Sequence, residues 1–141
     1  MSKGNTFEND LLQLIFNAVT ITGLARDDTS PLTNLYVSLH TADPGEAGNQ
    51  QTSEAAYTSY ARQPVARTSS GWTVSANSVS PVSDITFPQA TGGSETITHF
   101  AIGTVVSGTG KILYSGTLSP NIAVSNGVQP IVKSTSTVTE D

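Results

Sequence analysis

The chain has no cysteine, which removes disulfides, thiolate zinc sites and cysteine nucleophiles together. It has little charge, with only 12% of its residues Asp, Glu, Lys or Arg. The basic residues are six, Lys3, Arg26, Arg62, Arg67, Lys111 and Lys133, and they are scattered. Nucleic-acid binding needs a patch that neutralises phosphates, so a chain of net charge -5 without a basic cluster is expected to bind none. No apolar run approaches the length of a bilayer span, so no membrane association is expected. The start, Met1-Ser2-Lys3-Gly4-Asn5, lacks the basic stretch and long apolar region of a secretory signal. Folding in a reducing cytoplasm fits these absences.

In place of charge there are hydroxyls: Ser and Thr exceed a quarter of the 141 residues. Thr suits the pleated surface of a strand, and a sparsely charged surface suits burial against a partner. The length fits a single domain over 1–141, which can bury roughly two-thirds of the surface its unfolded chain exposes.

Helical periodicity occurs once, over residues 5–22. Phe7, Leu11, Leu14, Ile15 and Ala18 recur along one face, with Leu12, Phe16 and Val19 in a second row. Asn5 with Glu8 resembles a capping box, and Gly23 offers a stop. Two apolar rows predict contact with the domain and with something beyond it.

From Leu35 onward the pattern changes to short alternating runs. Strands are expected at 35–39, 61–67, 72–75, 84–87, 96–104, 111–119, 128–132 and 135–139. Turn signals at Ser70-Gly71, Gly92-Gly93, Gly108-Thr109-Gly110 and Asn126-Gly127 separate several of them. Some eight short strands at this spacing predict an all-β fold, an antiparallel, jelly-roll-like β-sandwich with one N-terminal α-helix. Residues 41–59 form the one long loop, and loops of that length are often contact sites.

No constellation of residues predicts catalysis, a metal or a cofactor. Ser38, His40 and Asp43 lie close in sequence, but catalytic triads are assembled from separate elements around an oxyanion hole, and no strained nucleophile turn accompanies these three. His40 is expected at a strand end bonded to the following loop, and His99 on a central strand. Gly108-Thr109-Gly110-Lys111 lacks both the first glycine and the Ser or Thr of a phosphate loop, and reads as a hairpin turn. Asp43, Glu46, Glu54, Asp84 and Glu95 offer carboxylate pairs of the kind any acidic protein has. Trp72, Tyr36, Tyr57, Tyr60 and Tyr114 could form a sugar platform, though filling a core is their commoner use. At least one of Arg62 and Arg67 is expected to pair with a carboxylate at a subunit contact, for which the planar guanidinium is suited. The candidate partner contacts are Phe7, Leu12, Phe16, Asp43, Glu46, Asn49, Gln51, Arg62 and Arg67.

The stretch from Asn34 to Gly48, NLYVSLHTADPGEAG, resembles a small family of phage and prophage virion proteins. So do Gly71-Trp72-Thr73-Val74, Ile85-Thr86-Phe87-Pro88, Thr98-His99-Phe100, Leu113–Leu118 and the helix opening at Asn5–Asp10. Members are described as tail-fibre-like proteins or as capsid decoration (cement) proteins with a jelly-roll-like sandwich. The resemblance carries no catalytic residue. It implies a virion component assembled in the host cytoplasm, expected on the capsid surface, where it binds the major capsid protein and stabilises the shell by mass action. A homo-oligomer, dimer or trimer, is expected to cover strand edges. A tail or fibre component that meets a host glycan is the alternative, and the absence of shaft repeats or heptads ranks it second.

Overall fold

A computed structural model of the chain describes residues 3–140. Among these the order is a helix, α1 (Asn5–Asn17), followed by the strands β1 (Asn34–His40), β2 (Gln63–Ala66), β3 (Trp72–Ser75), β4 (Ser78–Pro81), β5 (Ile85–Thr86), β6 (Glu95–Gly103), β7 (Ile112–Val124), β8 (Ile131–Val132) and β9 (Val138–Thr139). The expected all-β, antiparallel, sandwich-like class with one N-terminal helix stands. The chain divides into two compact units.

Unit 1 takes the described residues of Met1–Asn34, Val65–Asp84 and Lys133–Asp141. Its sheet runs β3-β4-β9, with Val74 opposite Val79 and Val79 opposite Val138. The candidate strand at 135–139 thus closes this sheet through its last two residues. α1 packs on β3 and β4 with Leu12 and Phe16 fully buried, each burial contributing about 1.5–3 kcal/mol. Phe16 meets Trp72 edge-on, ring centroids 4.9 Å apart. The helix therefore buries Leu12 and Phe16 of its second apolar row together with Glu8, while Val19 of that row, beyond the helix end, and Phe7 of the first row are exposed.

The helix is shorter than its apolar pattern predicts. Ala18 turns left-handed at φ 57, and the Val19 N–H returns to the Gln13 carbonyl at 3.1 Å. The capping box is absent: the N-cap is Gly4, whose carbonyl accepts from the Phe7 and Glu8 N–H groups. Gly23 sits in a separate turn between Ile21 and Ala25, beyond the helix end.

Unit 2 takes Leu35–Pro64 and Ile85–Val132. Most of the four-stranded sheet β2-β1-β6-β7 lies here, along with the short β5-β8 ladder. β1 and β6 are antiparallel, Val37 opposite Ile102 and Leu39 opposite Phe100. Their apolar side chains, with Phe87, Val124 and Val132, form the core of this unit. His99 lies on β6 between β1 and β7, a central strand as the alternation predicts. Gly108 turns the β6–β7 hairpin at φ +83, as its glycines imply.

Two stretches add to the expected strands, while those expected at 84–87 and 128–132 shrink to the two-residue β5 and β8. β4 was not expected, because Ser78-Val79-Ser80-Pro81 has the composition of a loop and only pairing on both sides makes it a strand. β7 runs on through Pro120 to Val124, tolerated because β7 ends its sheet and one side of the strand carries no ladder.

Candidate functional site

The long loop after β1 is fixed by polar side chains rather than by strands. The Thr41 N–H reaches the Ser53 carbonyl and the Ala55 N–H the Leu39 carbonyl, so the loop doubles back along the end of β1. Gln50, near its middle, is fully buried. Its Oε1 accepts from the Thr104 and Val105 N–H groups at 2.9 and 3.0 Å, and the Gln50 backbone N–H donates to the Gly110 carbonyl at 2.9 Å. A Cβ at Gly103 or Gly110 would collide with the Gln50 carboxamide, so both glycines are needed for space.

Arg62 adds a second tie. It forks onto Glu54 through Nε and Nη2 at 2.6 and 2.8 Å, while Nη1 and Nη2 donate to the Val105 and Gly108 carbonyls. The Tyr60 hydroxyl donates to Glu54 at 3.0 Å and accepts from the Leu39 N–H. Burial, with the Glu54 charge beside it, pushes that phenol well above its ordinary value. Tyr57 is raised to about 12, first by burial and then by Glu95, whose carboxylate accepts from the Ala56 and Tyr57 N–H groups.

His40 is enclosed by the same loop. Burial lowers its pKa and favours neutral imidazole. With Nδ1 protonated, the ring donates to the Thr52 carbonyl at 2.8 Å and accepts at Nε2 from the Ser38 hydroxyl at 2.9 Å. Ser38 and His40 are both 0% exposed, so this pair is a structural tie between strand and loop that a substrate does not reach.

The candidate contacts separate into internal and external ones. Leu12 and Phe16, expected to meet a partner, are filled by packing inside unit 1 because they form the helix row that covers β3 and β4. Arg62 and Arg67, at least one of which is expected to pair with a carboxylate at a subunit contact, both close pairs within their own units. Arg67 holds Asp27 with Nη1 at 2.7 and 2.8 Å and donates through Nε and Nη2 to the Ile15 and Leu14 carbonyls at 2.6 Å. Trp72 and Tyr57 are buried and Tyr60 is tied to Glu54, so these three build no exposed platform. Phe7, Asp43, Glu46 and Gln51 are exposed and Asn49 is half-buried.

What remains on the outside of unit 2 is the rim of the loop against the sheet edge. Asp43, Gly45, Glu46 and Gly48 face Ile112, Leu113, Tyr114 and Ser115 across an open cleft of about 360 Å³. Asp43 accepts from the Gly45 N–H at 2.9 Å. The floor belongs to β7, the end strand of its sheet, which carries no charged residue from Ile112 to Val124. Sequence reasoning found the two carboxylates but missed the edge, whose only signal was a long uncharged run. Among the described residues no group of three or more His, Cys, Asp or Glu side chains gathers as a metal site. Among them too, no helix is long and apolar enough to cross a membrane.

No curated protein matches the chain. A phage family does, over nearly its whole length, and it agrees with the resemblance carried by the Asn34–Gly48 stretch. The match runs over residues 2–139, and the chain belongs to the family described as podophage GP4 fiber I protein gp80, a fibre-like structural protein of the phage virion.

Proposed function

We propose that this chain is a non-enzymatic assembly module of the podophage tail fibre, joining copies of itself and neighbouring virion proteins without turning over a substrate. The observation that carries this reading is the fibre description of a family that matches residues 2–139. The interior supports it. Arg62, buried, and Arg67, half-buried, are spent on internal carboxylates and carbonyls, and His40 is closed off from solvent. What is left outside is a hydroxyl-rich surface, an uncharged strand edge and a short acidic rim, features that recognise another protein surface.

The experiment is localisation on intact particles. An antibody against the chain, carried by gold and viewed in negative stain, is expected to decorate the tail. Particles split into heads and tails are expected to keep the chain with the tails. Label spread over the head faces at lattice stoichiometry would overturn the fibre reading. It would support capsid decoration bound to the major capsid protein, a second reading favoured by the absence of any shaft repeat in the sequence. Turnover of a host polysaccharide that disappears in Glu46→Gln would overturn the non-enzymatic reading.

A further inference from the structure

β7 is thirteen residues long and pairs on one side only, with β6. A strand edge of that length is a template for another strand, and soluble proteins ordinarily blunt such edges with charge, proline or bulges. In β7 the one proline is Pro120, and the stretch from Ile112 to Ser119 before it carries neither charge nor proline; its ladder with β6 shifts register at Leu113, between the Ile102–Tyr114 and Gly103–Ile112 pairs, and again between Thr117 and Ile122. The outer flank of that stretch is not open solvent alone. At Ile112–Ser115 it adjoins the cleft whose far wall bears Asp43 and Glu46.

Charge identifies the occupant. The cleft offers carboxylates with no cation among its lining residues. Among the described residues neither Asp43 nor Glu46 joins a salt bridge, and the same holds for Lys111, exposed one residue before β7. An added strand that carries a lysine next to an uncharged apolar run would satisfy both the edge and the carboxylates, and this chain supplies such a strand in Lys111–Ser115 itself. If two β7 edges meet antiparallel with Leu113 opposite Leu113, Lys111 of each copy falls opposite Ser115 of the other. That is the point where the strand borders the acidic rim. The contact is self-complementary, as a two-fold interface requires.

We propose that β7 is a pairing edge for a second copy of this chain, joined antiparallel about a two-fold axis at Leu113, with Lys111 of each copy set against Asp43 and Glu46 of the other. The proposal rests on the assembly reading for its place in the virion and names the surface that reading leaves open. Main-chain bonds along the edge supply the affinity, and the two lysine contacts fix the register.

The test uses the purified full chain in sedimentation velocity over a range of concentrations. The unaltered chain is expected to pass from monomer to dimer, with the dimer weakened by salt. Lys111→Glu is expected to raise the dimer dissociation constant by about tenfold, and the double change Asp43→Lys with Glu46→Lys to do the same. These three positions are exposed, so each variant keeps its fold, which circular dichroism checks. An equimolar mixture of the two variants is expected to recover dimer. In that mixed pair each lysine contact is again between opposite charges, one inverted and one as in the unaltered chain. A monomer at all concentrations up to about 1 mM would overturn the proposal and leave the edge for a different virion strand. So would a trimer, dimers indifferent to both variants, or a mixture that recovers nothing. The particle-localisation experiment reads none of these quantities, so a failure of the fibre reading and a failure of the pairing edge are told apart.

Discussion

Arg62 in unit 2 and Arg67 in unit 1 are the same side chain satisfied in the same proportion: each holds one carboxylate and two backbone carbonyls. What differs is why those carbonyls were open. Arg67 takes Leu14 and Ile15, two of the last carbonyls of α1, and the helical donor of Ile15, the Val19 N–H, returns to Gln13 once Ala18 turns left-handed. Any helix end has such groups, and water serves them where it can reach. Arg62 takes Val105 and Gly108 in the β6–β7 hairpin, and its side chain is 2% exposed, against 10% for Arg67. The two clamps share a chemistry, but one finishes a local element whereas the other replaces secondary structure across a long loop.

That contrast sets the size of what breaks. Arg62→Met should cost about 3–5 kcal/mol in urea unfolding, because it takes the cation from Glu54, which keeps only the Tyr60 hydroxyl, and the guanidinium donors from the Val105 and Gly108 carbonyls. Arg62→Lys should recover less than half of the loss, since one ammonium cannot fork onto a carboxylate and still reach both carbonyls. A cost below about 1 kcal/mol would mean that Gln50 and His40 hold the loop without the arginine.

Arg67→Met should cost less, about 1–3 kcal/mol, since the helix carbonyls and Asp27 are nearer to water. Hydrogen exchange sharpens the comparison. Amides in the second half of α1 should lose protection while those of β1 and β6 keep theirs. Equal loss in both would show that the clamp on the helix end also supports unit 2.

His40 tests the loop without touching either arginine. Its pKa lies below the ordinary 6.5, chiefly because burial disfavours the charged ring. The unfolded chain therefore binds the proton more tightly. The stabilisation from neutral His40 is complete above pH 6.5 and is lost as pH falls toward the lowered folded value. The melting temperature of the unaltered chain should fall between about pH 7 and about pH 5 more steeply than that of His40→Asn, whose amide can still donate to the Thr52 carbonyl. Parallel curves for the two proteins would remove His40 from the pH response.

Residue by residue, the sequence was legible where burial follows a simple period. Alternation in Leu35-Tyr36-Val37-Ser38-Leu39 and in Ile97–Ile102 marks β1 and β6 because each is a long strand with both neighbours in the same sheet. The pairs that decide β4 lie in β3 and in the distant β9, so Ser78–Pro81 carries no local signal of its own. Both arginines were recognisable as carboxylate partners, but nothing local distinguishes an internal carboxylate from one on another subunit. Gln50 was the least legible: its burial depends on space left by Gly103 and Gly110 more than fifty residues away. Of the candidate site, Asp43 and Glu46 were found through their loop, whereas the β7 edge is a property of sheet order and not of any residue.

The smallest expected effect lies where the apolar pattern of the helix and its actual end disagree. Leu14, Ile15, Ala18 and Val19 keep the helical spacing, so local preference favours continuing past Asn17, yet Ala18 stands at φ 57, a region that an L side chain enters at a cost. Arg67 makes that turn tolerable by taking the two carbonyls that a longer helix would have used. Ala18→Gly removes the cost of the left-handed residue and should raise stability by about 0.5–1 kcal/mol in the unaltered background. In the Arg67→Met background the gain should shrink or reverse, because an alanine there is free to extend the helix and re-form its own bonds whereas a glycine resists that extension. A double-mutant cycle at the two positions measures the difference, and strict additivity would mean that the helix ends at Ala18 for a reason other than the arginine clamp.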